Sequence, residues 1–344
     1  MKHIVTLGTC SKGGIDSVIQ GYIDNGLFAD KKHTRIKSHQ GAGKVGDLFL
    51  FLKASLQLIW LSIKEKELIL HCHMSYKGSF WRKLTFVSIA KLFNNRTIIH
   101  LHGSEFKDYF ESRSKFTQTL LLWLIKNVDE FVVLSDSWFD YLKSISGRSV
   151  AVINNYVDID KVHATRRKGH ILFLGAFIKR KGIYDLIHAV AKLDIDYHLH
   201  LCGSGENDKV HELVDKLELN DSITFHGWIN TEQKQQLLSD CELMILPTYN
   251  EGLPMVIIEA MACEIPIIST PVGAIPEVII EGETGYLFNQ GDVEEMYYKL
   301  TRVLNNDKEN EYVCHNAKAF YADNFTSHVV LPKWNKLYEK VSTS

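Results

Sequence analysis

Glu251 and Glu259 are the side chains here with the clearest chemical prospects. They stand eight residues apart in Pro247-Thr-Tyr-Asn-Glu251-Gly252-Leu253-Pro254-Met-Val-Ile-Ile-Glu259-Ala-Met-Ala-Cys263-Glu-Ile-Pro266-Ile-Ile-Ser-Thr-Pro271. A loop carboxylate can orient hydroxyl groups by accepting their hydrogen bonds, and a glutamate inside an apolar helix is rarely buried without a partner. Ser75, Lys77, Ser79, Arg82 and Lys83 bring hydroxyls and cations together, a set that suits phosphate oxygens. Gly13 and Gly14 lie between a short apolar run and a helix start, where backbone N–H groups can admit a phosphate. His71, His73, His100 and His102 have the donor type of a zinc site. Each pair shares one strand face by alternation, and core or loop histidines are the simpler expectation for the first three.

The elements around the glutamates follow from composition. Cys241 to Leu246 has strand length, Pro247 ends it, and Tyr249 to Gly252 form a loop. Pro254 suits the first turn of an apolar helix over Met255 to Cys263, and Ile265 to Ser269 make the next strand. Glu251 then sits beyond the carboxyl end of a strand, where open α/β sheets bind ligands. The same alternation recurs along the chain. Strands are predicted at 3–7, 68–73, 97–101, 131–134 and 150–153, and again at 170–174, 198–202 and 223–226. Strand and helix alternate twice over, which predicts an α/β protein of two doubly wound domains with a cleft between them. The apolar stretch Leu48 to Ile63 contains Lys53 and is short for a membrane span, so it is expected to be a packed helix. Phe116 to Val128 reads as an amphipathic helix, for core packing or for membrane docking.

Composition bounds the rest. At 344 residues, 45% hydrophobic and 23% charged, the chain has ordinary globular make-up for about two domains. Its net charge of −2 hides an asymmetry: residues 1–164 hold 22 Lys/Arg against 15 Asp/Glu, net +7, and residues 165–344 are net −9. A basic half suits an anionic partner, either phosphate groups or an acidic membrane surface. The six cysteines (10, 72, 202, 241, 263, 314) are scattered without a Cys-x-x-Cys pair, as buried thiols in a reducing compartment would be. The N-terminus opens on a strand without a signal-peptide pattern.

The Glu-x7-Glu pair with Gly-Leu-Pro between its members resembles the signature of the retaining GT-B glycosyltransferases of family 4, the glycosyl transferases group 1, of the bacterial surface-polysaccharide type. Other segments share the resemblance: Gly13-Gly14, His102-Gly103, Asn155-Tyr-Val-Asp158, Lys181-Gly182, Gly203-Ser-Gly205, Gly227-Trp228 and Pro271-Val-Gly273. It implies a GT-B fold with two Rossmann-like domains facing a central cleft. The domains would span 1–164 on the acceptor side and 165–325 on the nucleotide-sugar side, and a tail helix at 326–344 would cross back to the first. It implies that His102, Lys181 and Glu251 are catalytic. Gly13, Gly14, Gly203, Trp228, Glu251, Gly252, Leu253, Pro254 and Glu259 would hold the donor, with Glu259 on the nucleotide ribose. Ser75, Ser79 and Arg82 are assigned to the acceptor. Ala176 stands where the family usually has arginine, which removes one cation, and Lys179 and Arg180 are the nearest replacements.

The implied reaction moves a sugar from a UDP- or GDP-linked donor, without a cofactor or metal, to a glycan acceptor carried on a polyprenyl diphosphate. That places the protein in the cytoplasm or at the inner face of the cytoplasmic membrane, in contact with anionic lipid, with no nucleic acid partner. The Asp-x-Asp triplets Asp194-Ile-Asp196 and Asp158-Ile-Asp160 are read as solvated loop carboxylates rather than metal ligands. Two other readings stay open: a sugar-nucleotide epimerase of GT-B-like fold, and a non-catalytic partner subunit.

Overall fold

A computed structural model describes residues 2–9, 13–41, 43–65, 67–159 and 165–343. The chain divides into two compact units, Met1–Tyr156 with Ser327–Ser344, and Val157–Thr326.

In unit 1 the strands are β1 (His3–Gly8), β2 (His33–Lys37), β3 (Leu68–Met74), β4 (Arg96–Leu101), β5 (Glu130–Val133) and β6 (Ala151–Val152). They form one sheet in the order β2-β1-β3-β4-β5-β6. Every pairing is parallel. Every residue of β1 and β3 is buried, as expected for strands covered by helices on both faces. The order reverses at β1 and β3, so the carboxyl ends of these strands flank the ligand crevice of a doubly wound sheet.

In unit 2 the strands are β7 (Arg167–Leu174), β8 (His198–Cys202), β9 (Ile223–Gly227), β10 (Cys241–Leu246), β11 (Ile267–Ser269) and β12 (Tyr286–Leu287). Their order is β12-β11-β10-β7-β8-β9, again all parallel. Here the reversal lies between β7 and β10, the strands that lead into the Lys181 and Glu251 loops.

The C-terminal helix Ser327–Thr343 belongs to unit 1, although its sequence follows unit 2. Trp334 and Tyr338 on this helix are buried. The Trp334 ring lies 4.7 Å from that of His71, and Tyr338 Oη shares a hydrogen bond of 2.8 Å with His71 Nδ1. The division falls at Tyr156/Val157 rather than at 164/165. Val157 belongs to the unit 2 core: its N–H donates to the Phe325 carbonyl at 3.0 Å, and its own carbonyl accepts from the Tyr321 hydroxyl.

The apolar stretch at 48–63 is part of a longer helix, Gly43–Lys64. Only one of its faces is packed, and the other is exposed and equally apolar. Among the described residues this is the one helix long and apolar enough to cross a membrane. The five described cysteines are free and buried, and Cys10 lies outside the described residues.

Candidate functional site

In unit 2 the loops after β7 and β10 are stitched together. The Arg180 carbonyl accepts from Tyr249 N–H at 2.8 Å, and an Arg180 guanidinium N–H donates to the Asn250 carbonyl at 2.7 Å. Thr248 Oγ1 donates to the Arg180 carbonyl at 3.2 Å and lies 3.3 Å from Glu251 Oε1. Within this frame Lys181 Nζ is ion-paired to Glu251 Oε1, with side chains 17% and 11% exposed.

Two glycines permit the approach. Gly182 has φ +71°, and a Cβ there would lie 1.9 Å from the Pro247 carbonyl oxygen. Gly273 has φ +58°, and its Cβ would lie 1.9 Å from the carbonyl oxygen of Glu251 itself. Any other residue meets both a left-handed backbone and a collision with main chain. Gly203 sits at the end of β8, its N–H donating to the Gly227 carbonyl at 2.8 Å.

Pro254 is the N-cap of the helix Met255–Ala262 rather than part of its first turn. Leu253 is buried beneath the loop, and the Gly252 carbonyl accepts from Ala274 N–H at 3.0 Å. Neither Gly252 nor Leu253 spends its N–H on a protein acceptor among the described residues. Free N–H groups at a helix start favour an anion or a hydroxyl oxygen.

Glu259 is buried on this helix, and Lys234 Nζ donates to its Oε1 at 2.5 Å. Lys234 rides on the helix Thr231–Asp240, whose start is fixed by a capping box between Asn230 and Gln233. Glu259 Oε2 has no partner among the described residues. Burial pushes this carboxyl above the ordinary carboxylate range, and Lys234 pulls it part of the way back. Lys234 escaped the sequence reading, because one lysine on a polar helix carries no positional signal.

Trp228 follows the edge strand β9 with its indole 65% exposed. Ala176 is not replaced directly, since Arg180 is committed to the Asn250 loop and Lys179 is exposed. Asp194 and Asp196 precede β8, at the amino end of the sheet, away from these loops. Asp160 of the other triplet lies outside the described residues.

In unit 1 four histidines form a stack at β3 and β4. His73 Nδ1 shares a hydrogen bond of 2.9 Å with His102 Nε2. Ring centroids are 4.4 Å apart for His71 and His73, and 4.0 Å for His100 and His102. Burial holds His71 and His102 down to about 3, and His73 and His100 well below the ordinary histidine value. All four are therefore neutral rings at neutral pH. One nitrogen from each of His71, His73 and His100 lies within 4.8 Å of the others. The group has the donor type for a divalent ion but includes no anionic side chain, and Tyr338 and His102 already engage two of its rings.

Beside the stack lies a basic cluster. Lys83 is buried, and loss of solvation lowers its amine to about 8. Arg82 Nε is buried without a partner among the described residues. Asp47 accepts from the backbone N–H groups of Gln40 and Gly41 at 3.0 Å each, and pairs with His39 at 3.1 Å. Its charge also raises the Arg82 guanidinium against the lowering by burial. Ser79 Oγ accepts from Ser75 N–H at 3.1 Å, and Ser75 packs against Gly103, which follows His102. Space around Gly13 and Gly14 is open, since a Cβ at either would meet nothing within 4 Å. Cys10, Ser11 and Lys12 of the same loop lie outside the described residues.

The family described as Glycosyl transferases group 1 matches residues 158–320. The capsular polysaccharide biosynthesis glycosyltransferase CapM of Staphylococcus aureus is 22% identical over 85% of this chain and 81% of its own length. Sucrose-phosphate synthase from Thermosynechococcus elongatus superposes with a TM-score of 0.84 at 18% identity, covering 99% of each chain. HepE of Anabaena, in complex with UDP-glucose, gives 0.77 at 16% identity over 99% of this chain and 100% of its own. Both neighbours share the two-domain GT-B fold of this chain. The chain thus carries a glycosyl transferases group 1 domain at residues 158–320, within a GT-B fold.

Proposed function

We propose that this protein transfers a sugar, with retention of anomeric configuration, from a UDP- or GDP-sugar to a glycan acceptor carried on polyprenyl diphosphate, in surface polysaccharide synthesis. The observation that carries the proposal is the Lys181–Glu251 ion pair at the sheet's switch point, framed by unspent N–H groups. Each partner satisfies the other until donor binds. Lys181 then turns to the diphosphate, where a preorganised cation and N–H groups stabilise charge developing on the leaving group. Glu251 turns to the sugar hydroxyls and orients the reacting centre. The unpartnered Oε2 of Glu259 is free to accept from a ribose hydroxyl. The neutral His102 is suited to a hydrogen bond with a sugar hydroxyl.

Cations and N–H groups carry the phosphate charge in this mechanism, with no requirement for a metal. Arg82 and Lys83 suit the acceptor's phosphates, which favours a phosphate-bearing acceptor over a neutral glycan. CapM's role in capsule synthesis and the UDP-glucose bound by HepE support the donor and the pathway class. The protein would work in the cytoplasm, at the inner face of the cytoplasmic membrane. The test is transfer of labelled sugar from UDP- and GDP-sugars to extracted lipid-linked glycans in the presence of a chelator, with the anomeric configuration of the product read by NMR. Transfer that requires added Mn²⁺ or Mg²⁺ contradicts metal independence. Isomerised free sugar without acceptor contradicts transfer.

A further inference from the structure

The helix Gly43–Lys64 buries Ala54, Leu58 and Leu61 in the unit 1 core, and Phe51 meets Phe86 with ring centroids 5.3 Å apart. Its opposite face carries Val45, Phe49, Leu52, Leu56, Trp60 and Ile63 at three- and four-residue spacing, with exposures between 52% and 83%. At 1.5 Å per residue this apolar ridge is about 27 Å long. A contiguous exposed ridge of that kind marks an interaction surface rather than ordinary scatter.

The charges beside the ridge select the occupant. Lys44, Lys53 and Lys64 lie on the same helix, and Lys64 Nζ is 4.7 Å from the centroid of the Trp60 ring. The only acid on the helix is Asp47, which is occupied by the backbone of Gln40 and Gly41. The neighbouring helix Gly78–Leu92 has no acidic residue and exposes Trp81. A second copy of the chain would bring like charges together across the same face, which is unfavourable. Apolar side chains, tryptophan and lysines that can extend their ammonium groups outward match an anionic lipid interface.

We propose that this ridge docks the protein on an anionic bilayer, with the helix in the plane of the surface and its apolar face at the headgroup–acyl boundary. Near its start the helix carries Asp47, which pairs with His39 and whose charge acts on Arg82. A lipid-linked acceptor in that bilayer would present its phosphates beside Arg82 while its chain stays among the lipids. The acceptor part rests on the function proposed above, and the docking itself rests on the ridge.

The test is flotation of the full chain with vesicles of equimolar phosphatidylcholine and phosphatidylglycerol, and with phosphatidylcholine alone. The wild type floats with the anionic vesicles and less so at high salt, because exposed charge attraction is screened. The double variant Leu52→Glu/Leu56→Glu loses partitioning by about tenfold or more, while its melting temperature and its titration with UDP and GDP match wild type. Lys53→Gln weakens binding to the anionic vesicles alone. Wild type that stays at the bottom with both vesicle types overturns the docking, as does a double variant that floats like wild type. A wild-type dimer by light scattering that becomes monomeric in the double variant would assign the ridge to a second copy instead. Failed flotation with intact nucleotide binding and turnover removes only the docking. Flotation without nucleotide binding removes only the proposed function.

Discussion

Lys181 Nζ and Glu251 Oε1 are ion-paired although the two residues lie 70 apart in sequence, and each side chain is mostly buried. The pair exists because the loops after β7 and β10 meet at the switch point of the unit 2 sheet. Removing either partner leaves the other charge short of a counter-ion. Lys181→Ala and Glu251→Ala should each lower the melting temperature, and the double variant should lose less than the sum. A double-mutant cycle should give a coupling of about 1 kcal/mol or more. Strict additivity would mean that the pair contributes nothing.

Glu251 and Glu259 should fail differently in kinetics. In the proposed function Glu251 orients the donor sugar from a loop, so Glu251→Ala should mainly lower kcat. Glu259 is suited to a ribose contact made before and during reaction alike, so Glu259→Ala should mainly raise donor KM, by about ten- to a hundredfold. Steady-state rates on both variants, with melts as a folding control, separate the roles. Equal effects on both parameters in both variants would remove the distinction.

These two glutamates were legible in the sequence because proline and glycine punctuate an otherwise apolar strand–loop–helix–strand run. The partner of Glu259 was not legible, since Lys234 is brought to it by tertiary packing alone. Strand β2 was missed for a different reason. His33–Lys37 has a single apolar residue, Ile36, because β2 is an edge strand with one neighbour and little burial. The two-residue β12 is another edge strand, too short to show a period. The helix Gly43–Lys64 was expected to be packed. Periodicity reveals an amphipathic helix only when its faces differ, and here both faces are apolar.

Glu259 has a stability cost that depends on pH. Its folded value is raised by burial, so folding favours the protonated carboxyl. The stability it contributes is fully present below the unfolded carboxylate value and is lost as pH rises through the raised folded value. Glu259→Gln mimics the protonated form. It should therefore melt above wild type at neutral pH, with the gap closing in acid, while donor affinity falls. A variant that melts below wild type at neutral pH would show that the Lys234 pair outweighs burial.

The histidine stack sets the acid limit of the fold. His71 and His102 are lowered from 6.5 to about 3, so folding favours their neutral rings. Their stabilising contribution is present above the unfolded value and is lost as pH falls from 6.5 toward the folded value. Each such ring costs about 1.4 kcal/mol per pH unit across that window. Melting temperature should begin to fall as pH drops below 6.5, before ordinary carboxylates protonate. A flat profile there would mean that the rings are charged or solvated.

The central claim is that unit 2 holds a nucleoside diphosphate through Lys181. Calorimetric titration of UDP and GDP into wild type and Lys181→Ala, with chelator present, tests it most directly. Wild type should bind one of the two nucleotides. Lys181→Ala should weaken that binding by about tenfold or more, because it removes a charge-assisted contact and leaves Glu251 unpaired beside the phosphates. Wild type that binds neither nucleotide, or a folded Lys181→Ala that binds as tightly as wild type, would contradict the account.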